Sequence, residues 1–468
     1  MEERDIRTFL KPGARAHLMG IGGVSMEPLA EVLFGAGVQV TGSDMQQSEA
    51  TAQLEALGIP VAIGHRGSNV AGAELVIRTA AVHDDNPEVQ AARAAGVPVF
   101  ERSQAWGAIM RDYPNALCVA GTHGKTTTTT LVAWLNREVA GGGSAFLGGI
   151  SRNFDNNLVL GAGDRLAVEA DEFDRSFLRL SPDAAVITSA DADHLDIYGT
   201  HEAVKEAFSQ FVSRIKSGGA LVIKKGVDIK IENDGIRVWR YSLDEPCDFY
   251  ASRIESAGEG RYRYDITTPD GVITDCVLGI PGRINIENSI AAAALMWCAA
   301  QHFGERLDAE LLRRGLAGFE GVKRRFECYV NTPSAVYIDD YAHHPRELAA
   351  AIMSVKGMYP SRKVTAVFQP HLYTRTRDLY AEFAEALSKA DEVVLLPIYP
   401  AREEPIEGIT TEIIAERVTV PCRITDREHL AAEIESMPVD VVVTFGAGNI
   451  DACCEAVAGV MRRKGGGC

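Results

Sequence analysis

The sequence predicts an α/β protein of three domains, each built on a parallel or mostly parallel sheet. Short apolar runs alternate with helix-length segments of apolar periodicity in three successive blocks, which is the pattern of strand–helix–strand units. Glycine-bearing turns follow the first strand of blocks one and two, and a chain of 468 residues is long enough for about three domains. We place them at residues 1–108, 109–325 and 326–468, the outer two Rossmann-like and the central one of the P-loop type.

The composition narrows the class of protein. A net charge of −17 disfavours a nucleic-acid partner, and no apolar run reaches the ~18 residues of a membrane helix, so we expect no membrane insertion. The charged N-terminus lacks the apolar stretch of a signal peptide. Nine cysteines without a C-x-x-C pair indicate reduced thiols. We therefore expect a cytoplasmic protein.

The first block has the pattern of a nucleotide-binding half-domain. A strand over residues 14–20 runs into the turn Gly-Ile-Gly-Gly at 20–23, and the next strand ends at Asp44. Glycines at the first turn with an acidic residue about 20 positions later are typical of such sites. Ser25 stands in the place of the third glycine, which counts against an ordinary NAD site. The candidate nucleotide-binding residues are Gly20, Gly22, Gly23 and Asp44.

The second block opens with the strongest motif of the chain. An apolar strand over residues 116–120 is followed by Gly-Thr-His-Gly-Lys-Thr-Thr at 121–127 and then by an apolar-periodic helix. Glycines let backbone N–H groups face a polyphosphate, and the helix N-terminus adds the positive end of its dipole. Lys125 is expected to reach the β- and γ-phosphates and Thr126 to bind Mg²⁺. ATP binding is predicted, although a glycine-rich surface turn would give a similar pattern.

Acidic segments follow the next two strands of this block. Residues 169–174 and 191–196 come directly after buried strands, whose carboxyl ends meet at one edge of a parallel sheet. Mg²⁺ prefers oxygen ligands, with one or two protein carboxylates among them. These segments offer carboxylate oxygens and an imidazole, and we predict Glu169 and His194 as the protein ligands of Mg²⁺ beside Lys125. The alternative is a solvated acidic loop, which fits Glu172 better than Glu169.

Basic residues and histidines mark the third block. Arg324 and Arg325 lie between blocks two and three, where a guanidinium could stabilise charge on the ATP phosphates. Residues 339–345 contain paired histidines whose spacing is wrong for a helical zinc motif, so a substrate-facing rim is expected. Arg375 and Arg377 follow another strand and suit a substrate carboxylate, with helix-surface charge as the alternative.

Together these segments closely resemble the Mur ligases of bacterial peptidoglycan synthesis, over nearly the whole chain. The segments that carry the resemblance occur in the family's order: 20–23, 121–127, 169–172 with Asp193 and His194, Asp-Asp-Tyr-Ala-His-His-Pro at 339–345, and Gln-Pro-His at 369–371. The family's fold implies an N-terminal UDP-sugar domain, a central ATPase domain and a C-terminal domain that closes over the amino acid.

The resemblance implies a role for each matching position. Gly20, Gly22, Gly23 and Asp44, with His65, are similar to the UDP-sugar site. The family's ATP phosphate loop is matched by Gly121, Thr122, Gly124, Lys125, Thr126 and Thr127. Its adenine-reading pair is matched by Asn285 and Asn288. Its phosphate arginine is matched by Arg325 with Arg324, and its ribose contact by Asp340. Thr126, Glu169 and His194 match the Mg²⁺ ligands. His344, His371, Arg375 and Arg377 lie where the family binds the amino acid.

Besides Asn449, which replaces an aspartate after Gly-Ala-Gly, two departures from the family pattern affect these sites. Ile284 stands where many members have histidine before the first asparagine of the adenine pair. Leu372 replaces an arginine after Gln-Pro-His. The second departure leaves more of the carboxylate binding to Arg375.

The resemblance implies an ATP-dependent ligase that joins L-alanine to UDP-N-acetylmuramate through an acyl phosphate. Lys125, His194 and Arg325 would serve catalysis, and His344 is a candidate base by position. The implied cofactors are ATP and Mg²⁺, and a homodimer is left open. The alternatives are a recycling ligase that adds a tripeptide to the same sugar nucleotide, and a non-catalytic UDP-sugar-binding protein; an NAD-dependent oxidoreductase is disfavoured by the second nucleotide loop.

Overall fold

A computed structural model describes residues 5–192, 195–258, 260–401 and 403–466, and it confirms the α/β class. Backbone contacts group the chain into two compact units. The first consists of Met1–Ser252, Asp265–Thr274 and Asn288–Leu316, and the second of Arg253–Tyr264, Asp275–Glu287 and Ala317–Cys468. The three domain boundaries expected from the sequence stay predictions.

The first unit begins with a five-stranded parallel sheet in the order β3-β2-β1-β4-β5. Its strands are β1 (Arg15–Met19), β2 (Gln39–Asp44), β3 (Val61–Ile63), β4 (Leu75–Arg78) and β5 (Val99–Glu101), and its helices are α1 (Glu27–Gly35), α2 (Glu49–Ala56), α3 (Pro87–Ala94) and α4 (Arg102–Met110). The pairing sets Met19 opposite Ser43. The glycine turn after β1 therefore lies beside the end of β2, where Asp44 stands.

A seven-stranded sheet follows in the order β12-β11-β10-β6-β9-β7-β8. Its strands are β6 (Asn115–Ala120), β7 (Ser144–Ser151), β8 (Asn156–Val159), β9 (Arg165–Ala170), β10 (Ala184–Ile187), β11 (Ala220–Lys224) and β12 (Arg237–Tyr241), with helices α5 (Lys125–Ala140), α6 (Leu195–Tyr198) and α7 (His201–Val212). Only the β7–β8 pair is antiparallel among the pairs described. Every residue of β6 is buried, as expected for the centre of a parallel sheet covered on both faces.

A three-stranded sheet and two helices come next in the chain. The strands, in the order β13-β14-β15, are β13 (Tyr250–Gly258), β14 (Arg261–Thr268) and β15 (Gly271–Val277), and the helices are α8 (Arg283–His302) and α9 (Ala309–Ala317). The alanine-rich stretch 290–300 of α8 is buried throughout. This helix also carries both asparagines of the predicted adenine pair.

The second unit contains a six-stranded sheet in the order β16-β17-β21-β18-β19-β20, antiparallel only at β16 among the described pairs. Its strands are β16 (Glu327–Asn331), β17 (Val336–Asp340), β18 (Val364–Phe368), β19 (Glu392–Leu395), β20 (Cys422–Ile424) and β21 (Val441–Phe445), and its helices are α10 (Pro345–Met358), α11 (Tyr373–Leu387), α12 (Glu412–Ala415), α13 (Leu430–Ser436) and α14 (Cys454–Lys464). Alternate residues of β17 pack into separate cores, Ile338 with α10 and α11, and Tyr337 with α13 and α14. The sheet is therefore covered by helices on both faces.

Within the ranges that the structure describes, none of the helices combines the length and the apolar character needed to cross a membrane.

The aromatic cluster of the first unit gives a test of its core. Phe211 is fully buried, and its ring stacks on Phe177 with centroids 4.9 Å apart. Phe211→Ala should lower the free energy of unfolding of this unit by about 3–5 kcal/mol, because it removes buried apolar area and leaves a cavity. Urea denaturation followed by fluorescence measures this. Phe34→Ala, at a side chain that is 41% exposed, is the matched control and should cost less than about 0.5 kcal/mol.

Candidate functional site

The glycine-bearing loop that the sequence analysis predicts as a phosphate site lies between β6 and α5. Its first glycine, Gly121, has φ of 138°, and a Cβ there would collide with Thr188. Gly124 has φ of 78°, and a Cβ there would come within 2.8 Å of Asn288 Oδ1. His123 N donates to Ser189 Oγ at 2.9 Å. Close neighbours on each side therefore restrict these two positions to glycine and stabilise the conformation of the loop. The loop leads into the N-terminus of α5, and Thr127 lies in the first turn of that helix.

The ammonium group of Lys125 is fully engaged. It donates to Gly121 O at 2.7 Å and to Glu172 Oε1 and Oε2 at 2.9 and 2.8 Å. A lysine has three N–H donors, so these three contacts use them all. Burial lowers the pKa of Lys125, but the carboxylates of Glu172, Asp171 and Glu169 outweigh burial, and its pKa lies above its ordinary value. Lys125 is therefore a charged group held by its own counter-ion.

The interpretation of Glu172 as part of a solvated acidic loop was wrong. Glu172 is only 1% exposed, and its backbone carbonyl accepts a hydrogen bond from Tyr198 Oη at 2.6 Å. The carboxylate is turned inward to the lysine 47 positions earlier in the chain. Sequence shows the charge of such a residue but not its burial, so no local signal could have identified it.

Two of the predicted Mg²⁺ ligands lie together. Thr126 Oγ1 donates to Glu169 Oε1 at 3.0 Å, and Gly148 N donates to Glu169 Oε2 at 3.0 Å. A hydroxyl and a carboxylate oxygen are hard donors of the kind Mg²⁺ takes, so this pair fits that ion. His194, the third predicted ligand, lies outside the described residues. The described part of the chain holds no cluster of three histidine, cysteine or acidic side chains that could bind a metal.

The candidate UDP-sugar residues meet at the carboxyl edge of the first sheet. Gly22 N donates to Asp44 Oδ2 at 2.9 Å, and Gly23 N donates to Gly20 O at 3.1 Å. Gly20 has φ of 71°, a conformation that favours glycine. His65 Nδ1 lies 3.1 Å from the hydroxyl of Ser43, the residue before Asp44. The structure thus brings all five predicted residues to one place.

A cavity of about 230 Å³ lies beside Glu169, and the sequence analysis missed it. Its lining includes Ser25, next to the glycine turn of β1, and Arg102 and Trp106 of α4. Arg102 Nη1 donates to Ser25 Oγ at 2.6 Å, and the rings of Trp106 and Phe146 lie with centroids 4.0 Å apart. The lining thus combines a guanidinium group and these two aromatic rings with the carboxylates of Glu169 and Asp171. The lining residues come from separate segments of the chain, so no local sequence motif predicts the cavity.

The two asparagines of the predicted adenine pair are three residues apart on α8, and both are buried. Asn288 approaches the phosphate loop at Gly124, as described above. Asn285 Nδ2 donates to Pro281 O at 2.6 Å in the turn that precedes the helix. Their role toward adenine stays a prediction.

The adjacent arginines 324 and 325 have different surroundings in the second unit. Arg324 donates to the carbonyls of Gly446 and Gly448 and, at 3.2 Å, to Asp339 Oδ2. Both guanidinium groups lie over the ring of Tyr341, 5.3 Å from its centroid for Arg324 and 5.0 Å for Arg325, so the difference between them is in the hydrogen bonds of Arg324. Arg324 is thus committed to holding the loop after β21, which favours Arg325 as the predicted phosphate arginine.

The segment after β17 is ordered by two carboxylates. Asp340 accepts hydrogen bonds from Phe326 N and Ala342 N, both at 2.8 Å, and burial raises its pKa to about 6. His344 is the N-cap of α10, and its backbone N–H donates to Glu347 at 3.1 Å. The predicted ribose contact of Asp340 and the base role of His344 stay predictions.

The predicted amino-acid residues surround the start of α11. The ring of His371 stacks on Tyr399 with centroids 5.7 Å apart, and Arg375 Nη1 lies 3.5 Å from His371 Nδ1. Arg377 is exposed and pairs with Asp378 at 2.7 Å. His371 and Arg375 therefore lie together, whereas Arg377 is bound to its sequence neighbour.

Family models match the chain in three consecutive stretches. The Mur ligase family, catalytic domain, matches residues 15–114; the Mur ligase middle domain matches 119–296; and the Mur ligase, glutamate ligase domain, matches 324–448. Together they cover most of the sequence.

Relatives and solved structures agree with these matches. A UDP-N-acetylmuramate–L-alanine ligase of Parabacteroides distasonis is 43% identical over 460 residues, which are 96% of this chain and 97% of that protein. The crystal structure of UDP-N-acetylmuramate–alanine ligase from Thermotoga maritima is similar with a TM-score of 0.77 at 28% identity, covering 95% of this chain and 98% of that one. A murein peptide ligase from Psychrobacter arcticus shares the fold, with a TM-score of 0.66 at 21% identity over 96% and 99% of the chains.

The Lys125–Glu172 pair makes a prediction about phosphate binding. A phosphate group must take Lys125 donors that Glu172 now holds, and Glu172 also repels it. Glu172→Gln should therefore bind ADP without metal about threefold tighter or more, measured by calorimetry in chelator. Asp171→Asn is the matched control, because Asp171 is 3.7 Å from Lys125 Nζ and 47% exposed, and its effect should be smaller. Weaker ADP binding in Glu172→Gln would show instead that Glu172 positions Lys125 for the phosphate.

Proposed function

The chain belongs to the Mur ligase family, and on this premise we propose that it uses ATP to join L-alanine to the lactoyl carboxylate of UDP-N-acetylmuramate. The observation that carries the proposal is the similarity, over nearly the full length of both chains, to proteins named for that reaction. The clustering of Lys125, Thr126 and Glu169 at the end of β6 and β9 supports it, since an ATP-driven reaction needs a phosphate and metal site.

The proposed reaction has two steps. The lactoyl carboxylate attacks the γ-phosphorus of ATP, forming an acyl phosphate and releasing ADP. The neutral amine of alanine then attacks the acyl carbon and expels phosphate, so an amide bond replaces the acyl–phosphate bond. Both steps move negative charge, so the protein's contribution is positioning and electrostatic stabilisation more than covalent chemistry.

The first unit supplies the groups for the first step. Lys125 and the N-terminal N–H groups of α5 would bind the phosphates, and Thr126 with Glu169 would hold Mg²⁺. When bound, the ion would neutralise charge on the phosphate oxygens. The cavity beside Glu169 suits the muramoyl part of the substrate, with Trp106 and Phe146 against the sugar ring and Arg102 near an anionic group. Such an arrangement would place the lactoyl carboxylate close to the phosphate loop.

The second unit supplies the amino-acid end. We assign the alanine carboxylate to Arg375 with His371, because these two side chains lie together and are partly buried. Arg377 is a weaker candidate because Asp378 already pairs with it. His344 would accept a proton from the alanine ammonium group, and Arg325 would meet the ATP phosphates.

The proposed location of the enzyme in the cell follows from the reaction. Nucleotide-linked precursors and ATP put the enzyme in the cytoplasm, at the first amino-acid step of peptidoglycan precursor synthesis. The homodimer considered from the sequence stays a prediction, which light scattering on the purified protein would decide.

The proposal is tested by measuring phosphate release from ATP with UDP-N-acetylmuramate and each candidate acceptor. L-Alanine should support turnover that requires Mg²⁺ and is lost in Lys125→Ala, because the phosphates then lack their cation. The tripeptide of the recycling reaction should not support it. Turnover with the tripeptide alone would assign the chain to the recycling ligases, and binding of the sugar nucleotide without turnover would assign a non-catalytic role.

Arg375 gives a prediction for the amino-acid site. A planar guanidinium can bind both oxygens of a carboxylate, whereas lysine offers a point charge. Arg375→Lys should raise the KM for L-alanine by at least about tenfold, ~1.4 kcal/mol, with little change in the KM of the two nucleotides. Arg377→Lys is the matched control and should leave all three constants near their original values. Equal shifts in all three for Arg375→Lys would contradict a specific carboxylate contact.

A further inference from the structure

A buried carboxylate, Glu88, gathers the loops around the candidate UDP-sugar residues. It lies in the first turn of α3 and its side chain is fully buried. Its Oε2 accepts a hydrogen bond from Ser43 Oγ at 2.7 Å and lies 3.2 Å from His65 Nδ1. Its Oε1 accepts from Asn69 Nδ2 at 2.5 Å and from Arg66 N at 3.3 Å. One carboxylate thus ties the end of β2 to the segment 65–69.

Glu88 is an acceptor and not a donor in this network. Burial raises the pKa of Glu88, but the contact with His17, 3.5 Å away, and the hydrogen bonds from Ser43 and Asn69 outweigh burial and lower it to about 2. The carboxylate is therefore ionised at neutral pH, and an ionised carboxylate only accepts hydrogen bonds.

This fixes the proton on His65. Ser43 has one hydroxyl proton and gives it to Glu88, so Ser43 Oγ offers His65 only a lone pair. His65 Nδ1 then faces two acceptors, Ser43 Oγ at 3.1 Å and Glu88 Oε2 at 3.2 Å. Nδ1 must carry a proton itself. In the neutral ring, the other nitrogen, Nε2, is left with a lone pair.

We propose that Glu88 is the positioning residue of the UDP-sugar site, holding His65 as the Nδ1–H tautomer so that its Nε2 accepts a hydrogen bond from the ligand. This rests on the proposed function, which places the sugar nucleotide at this edge of the first sheet. A lone pair selects a donor, and the donors of a uridine nucleotide near the glycine turn are uracil N3–H and the ribose hydroxyls. The ionised diphosphate has only acceptors. His65 therefore recognises the nucleoside part of the substrate.

The arrangement requires a carboxylate at position 88. A glutamine would place N–H groups either against Ser43 and His65 or against Asn69 and Arg66 N, all of which are donors to this side chain. In the first orientation His65 must move its proton to Nε2, and the lone pair offered to the ligand is lost. Tautomer control by a buried carboxylate has the same logic in hydrolytic triads.

Nitrogen NMR of the full chain labelled with ¹⁵N-histidine reads the tautomer directly. The His65 signals are assigned by their loss in His65→Gln. We expect the Nδ1–H form in the wild type and the Nε2–H form in Glu88→Gln. Either the Nε2–H form or a doubly protonated ring in the wild-type protein at neutral pH would overturn the proposal, even if Glu88→Gln does not fold.

Kinetics separate positioning from a structural role. Glu88→Gln should raise the KM for UDP-N-acetylmuramate by at least about tenfold, ~1.4 kcal/mol, while kcat and the KM values of ATP and L-alanine stay within about twofold. His65→Ala should do the same, and the double variant should lose no more than either alone, because both changes remove one interaction. Glu55→Gln, at an exposed carboxylate of the same unit, is the control. Additive losses, or equal shifts in all three KM values, would contradict the proposal.

Calorimetry with UDP, 2′-deoxy-UDP, 3′-deoxy-UDP and N3-methyl-UDP distinguishes the three donors and separates failure of this proposal from failure of the proposed function. The analogue that lacks the donor to His65 Nε2 should bind the wild type more weakly than UDP does. The same analogue should bind His65→Ala as tightly as UDP does. If the wild type binds no uridine nucleotide, the proposed function fails. If it binds all four equally, the sugar-nucleotide site stands and the role of His65 and Glu88 is wrong.

Discussion

The pairing of β6 with β9 is the constraint on which the candidate nucleotide site depends. It sets Val119 opposite Glu169 and Ala120 opposite Ala170, so the carboxylate proposed as a metal ligand lies level with the loop at 121–124. Val168 and Ala170 face the core, and Glu169 points the other way. Because side chains alternate along a strand, a shift of one residue would turn Glu169 into the core and break its contact with Thr126. The burial of both strands therefore secures the geometry of the site.

The parts that could be predicted from sequence are those encoded locally or at strand ends. The strand–loop–helix around Lys125 is contiguous, and the proximity of Glu169 follows from the shared carboxyl edge of a parallel sheet. The burial of Glu172 could not be predicted, because its partner Lys125 is distant in the chain and a run of acidic residues looks the same whether it is buried or exposed. Arg102 and Trp106 carry no motif, and only long-range packing brings them to the cavity. Arg324 and Arg325 look equivalent in sequence and both lie over Tyr341, yet it is Arg324 that donates to the loop after β21.

Two buried charges of the first unit are paired before any ligand arrives. Glu172 occupies Lys125, and Glu88 occupies the donors around His65. A buried ion without a partner costs several kcal/mol, so a site for a polyanion has to satisfy its own cation when empty. Binding at the phosphate loop is then an exchange of one anion for another. At the first sheet, by contrast, the proposed ligand contact leaves the donors of the Glu88 carboxylate in place.

Two buried carboxylates respond to acid in opposite ways. The pKa of Glu88 is lowered to about 2, so its stabilising contribution is complete above the ordinary range of a glutamate and is lost as the pH falls toward 2. The pKa of Asp340 is raised to about 6, so its folded form favours the proton and gains stability as the pH falls through 6. Glu88 lies in the first unit and Asp340 in the second. Mild acidification thus increases the contribution of Asp340 to the stability of the second unit, whereas stronger acid removes the contribution of Glu88 to the first.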